Sequence, residues 1–117
     1  MNFREQFNNS ILFFDGAMGT ELQKNGLGKG ELPENLNIHS PEIVARVHKS
    51  YLDAGCNIIS TNTFGANSLK FNNVNEIITK AVEIAKMFLL RYISIPSLIV
   101  SVTIFIINHS SFLLFTF

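Results

Sequence analysis

The apolar positions of the chain fall into runs of distinct kinds. Ile11-Leu12-Phe13-Phe14 is continuous and is stopped by Asp15-Gly16, the pattern of a strand buried on both faces in a parallel sheet. Ile43, Val44, Val47, Tyr51 and Leu52 recur at helical spacing instead. Ser40-Pro41-Glu42 sits just ahead of them and predicts the helix start: Ser40 caps, Pro41 loses nothing at the first helical position, and Glu42 meets the positive dipole end. Gly55 predicts the stop. Cys56-Asn57-Ile58-Ile59-Ser60 then reads as a second short strand, and Asn75-Glu76 opens a helix through Ile77, Ile78, Ala81, Val82 and Ala85. Strand, helix, strand, helix predicts an α/β fold with right-handed crossovers and a parallel sheet.

Residues 15–40 hold five of the seven glycines and Pro33, with one brief helical stretch around Thr20–Asn25. A connection this long in a small domain is often functional. Two polar clusters, Asp15-Gly16-Ala17-Met18-Gly19-Thr20 and Thr61-Asn62-Thr63-Phe64-Gly65, fall at the carboxyl ends of the two strands, where parallel folds bind ligands. Asp15 offers an anion to an ammonium group, and the glycine-rich turn lets backbone N–H groups approach a carboxylate. A zwitterionic amino acid suits both. The plainer alternative is that Asp15-Gly16 is a turn after a strand.

Charge narrows the classes. Nine Lys and Arg balance nine Asp and Glu, so no basic field invites nucleic acid. The acidic, amide-rich start is unlike a secretory signal, and one cysteine, Cys56, makes neither an internal disulfide nor a thiolate zinc site. A reducing, cytoplasmic setting follows. Gly26-Leu27-Gly28-Lys29-Gly30 fails as a phosphate loop because Gln23 and Gly30 stand where Gly and Ser or Thr are needed. His39, His48 and His109 lack metal-ligand spacing, and His48 is expected on a helix flank in a structural or solvent-facing role. Cys56 reads as a small buried hydrophobe.

Taken in order, Ile11 through Thr20, Leu36-Asn37, Pro41-Glu42, Val47 through Gly55 and Thr61-Asn62-Thr63-Phe64-Gly65-Ala66-Asn67 closely resemble the start of the homocysteine S-methyltransferase domain, most of all the homocysteine-binding module of cobalamin-dependent methionine synthases. The resemblance covers residues 10–86. It implies the first two βα units of a (β/α)₈ TIM barrel, and methyl transfer to the homocysteine thiol, giving methionine. It also implies homocysteine as ligand, with Asp15, Gly16 and Ala17 holding its amino-acid end and Thr61, Asn62 and Thr63 lining the same mouth. The family uses a zinc ion to hold the thiol as thiolate, and cobalamin or folate donors occur among its members. Its zinc ligands are cysteines of later strands, so no metal ligand and no catalytic residue is assigned in this chain, and the isolated chain is expected to be inactive.

Beyond Lys86 the resemblance ceases and the charge vanishes: of 18 charged residues, only Arg91 lies in 87–117. The chain thus divides into 1–86, a barrel fragment, and 87–117, an apolar tail expected to be helical. Two readings of the tail stand. Residues 92–117 are long enough for a membrane anchor, although Pro96 and Asn108-His109-Ser110-Ser111 interrupt them. An Ile-, Phe-, Leu- and Ser-rich run is equally what a truncation or frameshift yields, and this reading is preferred. A homocysteine-binding module without chemistry is a further alternative for the whole chain.

Overall fold

The computed structural model describes residues 11–91, 99–106 and 109–115. Helix α1 (Met18–Lys24) is followed by a 3₁₀ turn (Pro33–Asn35), the single-turn α2 (Leu36–His39) and α3 (Pro41–Asp53). Strand β1 (Ile58–Ser60), helix α4 (Val74–Arg91) and strands β2 (Ile99–Ile106) and β3 (His109–Phe115) complete the order.

Helix α3 starts where expected but not by the expected cap. Ser40 makes no side-chain capping bond; its N–H donates to the Leu36 carbonyl (3.0 Å), closing α2, while its carbonyl accepts from the Ile43 N–H (3.0 Å), opening α3. One residue serves both helices, so its backbone (φ −149°, ψ 61°) is set by the pair of bonds rather than by a capping geometry. The C-terminus closes as predicted. The Cys56 N–H reaches back to the Tyr51 carbonyl (3.1 Å) and the Gly55 N–H to that of Leu52 (3.0 Å), the paired bonds of a Schellman motif, with Gly55 at φ +104°. An added Cβ at Gly55 meets nothing within 4 Å, so backbone conformation alone decides its cost. Gly55→Ala is expected to lower stability by about 1 kcal/mol and Gly55→Asn by less, read as a shift in the urea midpoint.

The first strand is shorter and more open than the apolar run suggests. Phe14 forms a single parallel bridge to Ile58. Around it, the Asn57 and Ile58 N–H groups donate to the Phe13 carbonyl (2.8 and 3.1 Å) and the Asp15 N–H to that of Ile58 (2.9 Å). Ile11, Phe13 and Phe14 are 81%, 59% and 50% exposed, which overturns the expectation of burial on both faces. The physical reason is position. This strand has a neighbour on one side only among the described residues, whereas Ile58 and Ile59, in the middle of the sheet, are fully buried.

β1 pairs in parallel with β2, with Ile58 opposite Ile99, so Phe14, Ile58 and Ile99 stand abreast in chain order. α1, α2 and α3 span the first step and α4 the second. β3 then pairs antiparallel with β2, from Val100↔Phe115 to Ile106↔His109. The expectation of a helical tail is therefore corrected: α4 runs on only to Arg91, and two strands lie beyond it. Six of the eight residues of β2, Ile-Val-Ser-Val-Thr-Ile-Phe-Ile, are β-branched, and such side chains fit a pleated surface better than a helix. Among the described residues no helix is long and apolar enough to cross a membrane. Residues 92–98, the start of the proposed anchor, lie outside the described residues.

The helices are welded to the sheet and to one another by three clusters. Leu52 of α3 and Ala85 and Phe88 of α4 cover Ile59; Leu22, Leu36, Val44, Val47 and Ile84 join α1, α2 and α3 to α4; Ala66, Phe71 and Ile77 close the far end. His48 is not on a solvent-facing flank. It is fully buried, edge-on to Phe88 at 6.0 Å between ring centroids and 74° between planes.

Candidate functional site

The carboxyl ends of the first strand and of β1 open into one cleft of about 320 Å³, at the small end of the ligand-site range of about 300–1,000 Å³. Gly16, Met18 and Gly19 form one wall, Ser60, Thr61, Asn62 and Phe64 the opposite one, and Pro33 and Glu34 of the 3₁₀ turn a third. The long glycine-rich connection thus folds back over the strand ends.

Asp15 leaves the first strand beside this cleft, and its Oδ2 accepts the Ser60 N–H (2.8 Å). Burial pushes its carboxyl above the ordinary carboxylate range, while the hydrogen bonding to Ser60 pulls it back down. Gly16 also serves the packing of the turn. Its missing Cβ leaves room for the Tyr51 hydroxyl, 3.0 Å from where that carbon would lie, and that hydroxyl donates to the Ala17 carbonyl (2.8 Å). Tyr51, reaching up from α3, fixes the turn that follows Asp15.

The strand-end loop after β1 is held from below. Thr61 and Thr63 share a buried hydroxyl–hydroxyl bond (2.8 Å). Asn62 donates from Nδ2 to the Pro33 carbonyl (2.8 Å) and to Asn37 Oδ1 (3.0 Å), and Asn37 returns a bond from its own Nδ2 to the Asn62 carbonyl (2.8 Å). Asn37 also donates to the Ile77 carbonyl at the start of α4 (3.3 Å). Glu34 Oε1 accepts the Gly65 N–H (2.6 Å), so close that a Cβ on Gly65 would lie 2.7 Å from the same oxygen.

Of the six residues expected in the binding mouth, Gly16, Thr61 and Asn62 line the cleft. Asp15 borders it through Ser60, Ala17 contributes its carbonyl to Tyr51, and Thr63 is fully buried beneath. Pro33, Glu34 and Ser60 were not expected there. Pro33 followed by an acidic residue marks a helical turn in the sequence, but nothing local places that turn over the strand ends. Cys56 donates its thiol to the Phe14 carbonyl (3.3 Å), and burial, helped by Asp15, pushes that thiol up, away from nucleophilic character. Among the described residues no three His, Cys, Asp or Glu side chains converge where a metal ion could bind, so the zinc implied by the resemblance has no ligand set there.

Parallel strands succeeding one another through helical crossovers, with a cleft at their carboxyl ends, define an α/β chain of the kind that places a ligand site at its strand ends. The sequence profile described as Homocysteine S-methyltransferase matches residues 12–104, and the chain belongs to that family. Methionine synthase of Mycobacterium tuberculosis (strain ATCC 25618 / H37Rv) is 38% identical over 63 residues, covering 49% of this chain and 5% of that protein. Homocysteine S-methyltransferase 2 of Zea mays is 33% identical over 95 residues, covering 70% and 28%. The metallated homocysteine methyltransferase MmuM from Escherichia coli superposes with a TM-score of 0.72 over 86% of this chain and 40% of that one, at 23% identity, which shows the shared fold. Its apo form gives 0.63 at 28% identity over 85% and 38%. The chain spans less than a third of the length of these methionine synthase and maize relatives.

Proposed function

We propose that residues 11–67 form the half of a homocysteine site that grips the amino-acid end of the ligand. The observation that carries this is the convergence of Gly16, Thr61 and Asn62 on one cleft at the strand ends, with Asp15 directly behind its Ser60 wall. Asp15 and the polar wall supply a negative field for an ammonium group. Met18 and Phe64 give the same cleft an apolar side for the thiol-bearing arm.

In the family this ligand takes a methyl group on sulfur to give methionine, and a bound zinc ion would keep that sulfur ionised at neutral pH. The described residues present no donor set for such an ion, and the Cys56 thiol is tied to a backbone carbonyl. Holding and orienting the amino acid is what these residues do, and the isolated chain is proposed to bind without turning over.

Calorimetry on the full chain tests this reading. L-homocysteine is expected to release heat with the wild type and to bind Asp15→Asn roughly tenfold more weakly or worse, since the amide still accepts the Ser60 N–H but carries no charge. Absence of binding by folded wild type disposes of the reading. Methionine formation by purified chain supplied with zinc and a methyl donor disposes of its inactivity.

A further inference from the structure

Glu34 is a charged side chain only 5% exposed, in the wall of the cleft rather than on the surface. Carboxylates are rarely buried to this degree without a cation. None of the ion pairs among the described residues includes it; those join Lys24 to Glu21, Lys49 to Asp53 and Lys80 to Glu83. Its hydrogen bond comes from the Gly65 backbone N–H to Oε1, and a carboxylate has capacity for further donors beyond one amide. Asp15 by contrast stands behind Ser60 and does not form part of the cleft wall.

We infer that Glu34 is the specificity-determining residue of the cleft, the acceptor that selects ligands bearing a protonated amine. The inference rests on the amino-acid-site reading above and sharpens it. A cation entering the cleft meets a fixed acceptor already cleared of most water, and the Gly65 N–H holds the carboxylate aimed before the ligand arrives. A ligand of the same length that lacks the amine leaves this charge buried and uncompensated. The cleft therefore discriminates by what it leaves unpaired as well as by what it binds.

The test pairs two ligands, L-homocysteine and 4-mercaptobutanoate, which differ in the amine alone, with two full-length proteins, wild type and Glu34→Gln. The glutamine keeps a carbonyl oxygen for the Gly65 N–H and removes the charge. Wild type is expected to prefer homocysteine by about tenfold or more. Glu34→Gln is expected to lose most of that preference, binding homocysteine more weakly and 4-mercaptobutanoate at least as tightly as wild type, because no charge is left unpaired.

Equal weakening of both ligands makes Glu34 a support for the loop and overturns the inference, as does an unchanged preference. Wild type alone suffices to reject it if the two ligands bind equally, whatever the folding of the variant. Should folded wild type bind neither ligand, the amino-acid-site reading itself fails, an outcome distinct from homocysteine binding that ignores Glu34.

Discussion

Acidification from pH 6.5 to about 4 is expected to withdraw about 3 kcal/mol of stability from the fold through one side chain, His48. The imidazole is fully buried, lies edge-on to Phe88, and neither Nδ1 nor Nε2 has a hydrogen-bond partner among the described residues. Desolvation alone lowers its pKa from 6.5 to about 4. The unfolded chain therefore binds a proton in this window that the folded chain refuses. His48 does not weaken the fold above pH 6.5; stability declines as the pH falls through the window and the loss is complete below about 4. Asp15 works in the opposite sense, because its raised carboxyl pKa favours folding at low pH and loses that contribution as the pH rises above 3.8. Comparison with His48→Leu cancels the Asp15 effect. The variant is expected to be at least as stable as wild type at pH 7 and to show a flatter profile between pH 6.5 and 4 in urea titrations. Parallel profiles for the two proteins reject the assignment.

Asn37→Ala is expected to cost about 2–4 kcal/mol, more than most single truncations. Asn37 is fully buried, and its amide joins three parts of the chain: its own helix α2, the Asn62 loop and the Ile77 carbonyl of α4. Removal strands the Asn62 carbonyl in the interior and takes a partner from the Asn62 amide, while the Ile77 carbonyl loses a second donor but keeps its place in the α4 ladder. The loss comes mainly from those abandoned groups rather than from the missing bonds. A double-mutant cycle with Asn62→Ala is expected to be non-additive by about 1 kcal/mol or more. Additive costs would mean that the two amides do not act as a unit. Homocysteine affinity is expected to fall alongside stability, because Asn62 forms part of the cleft wall.

What the sequence discloses and what it conceals follow the range of the interactions. Helix α3 is legible to the residue at both ends because Pro41 and Gly55 act locally, through a missing N–H and a positive φ. The two polar strand ends are legible for a similar reason: an apolar run that stops at Asp15 or Thr61 marks its own end. Glu34 and Asn37 are not. Nothing near Leu32-Pro33-Glu34-Asn35 in the chain shows that Gly65 will come within 2.6 Å, and Asn37 reads as an ordinary polar residue until Asn62 and Ile77 are placed around it. His48, expected in a structural or solvent-facing role, takes the structural one, on the same helix face as Val44 and Val47 and against Phe88, although Lys49 and Ser50 beside it are exposed. The tail, expected to be helical, holds two strands instead. Its β-branched composition, with six such residues among the eight of β2, was the better guide.

The order of strands across the sheet also sets an expected order in time. β2 and β3 are chain neighbours and pair along seven positions, the kind of hairpin that closes in about 1–10 μs, whereas β1 must cross a helix to reach β2 and Phe14 must cross α1, α2 and α3 to reach Ile58. On loop-closure grounds the hairpin is expected to pair first and the first strand, held by one bridge, last, so that the segment carrying Asp15 would complete the cleft. A ligand that binds there would hold that late strand in place, coupling completion of the sheet to occupancy of the site.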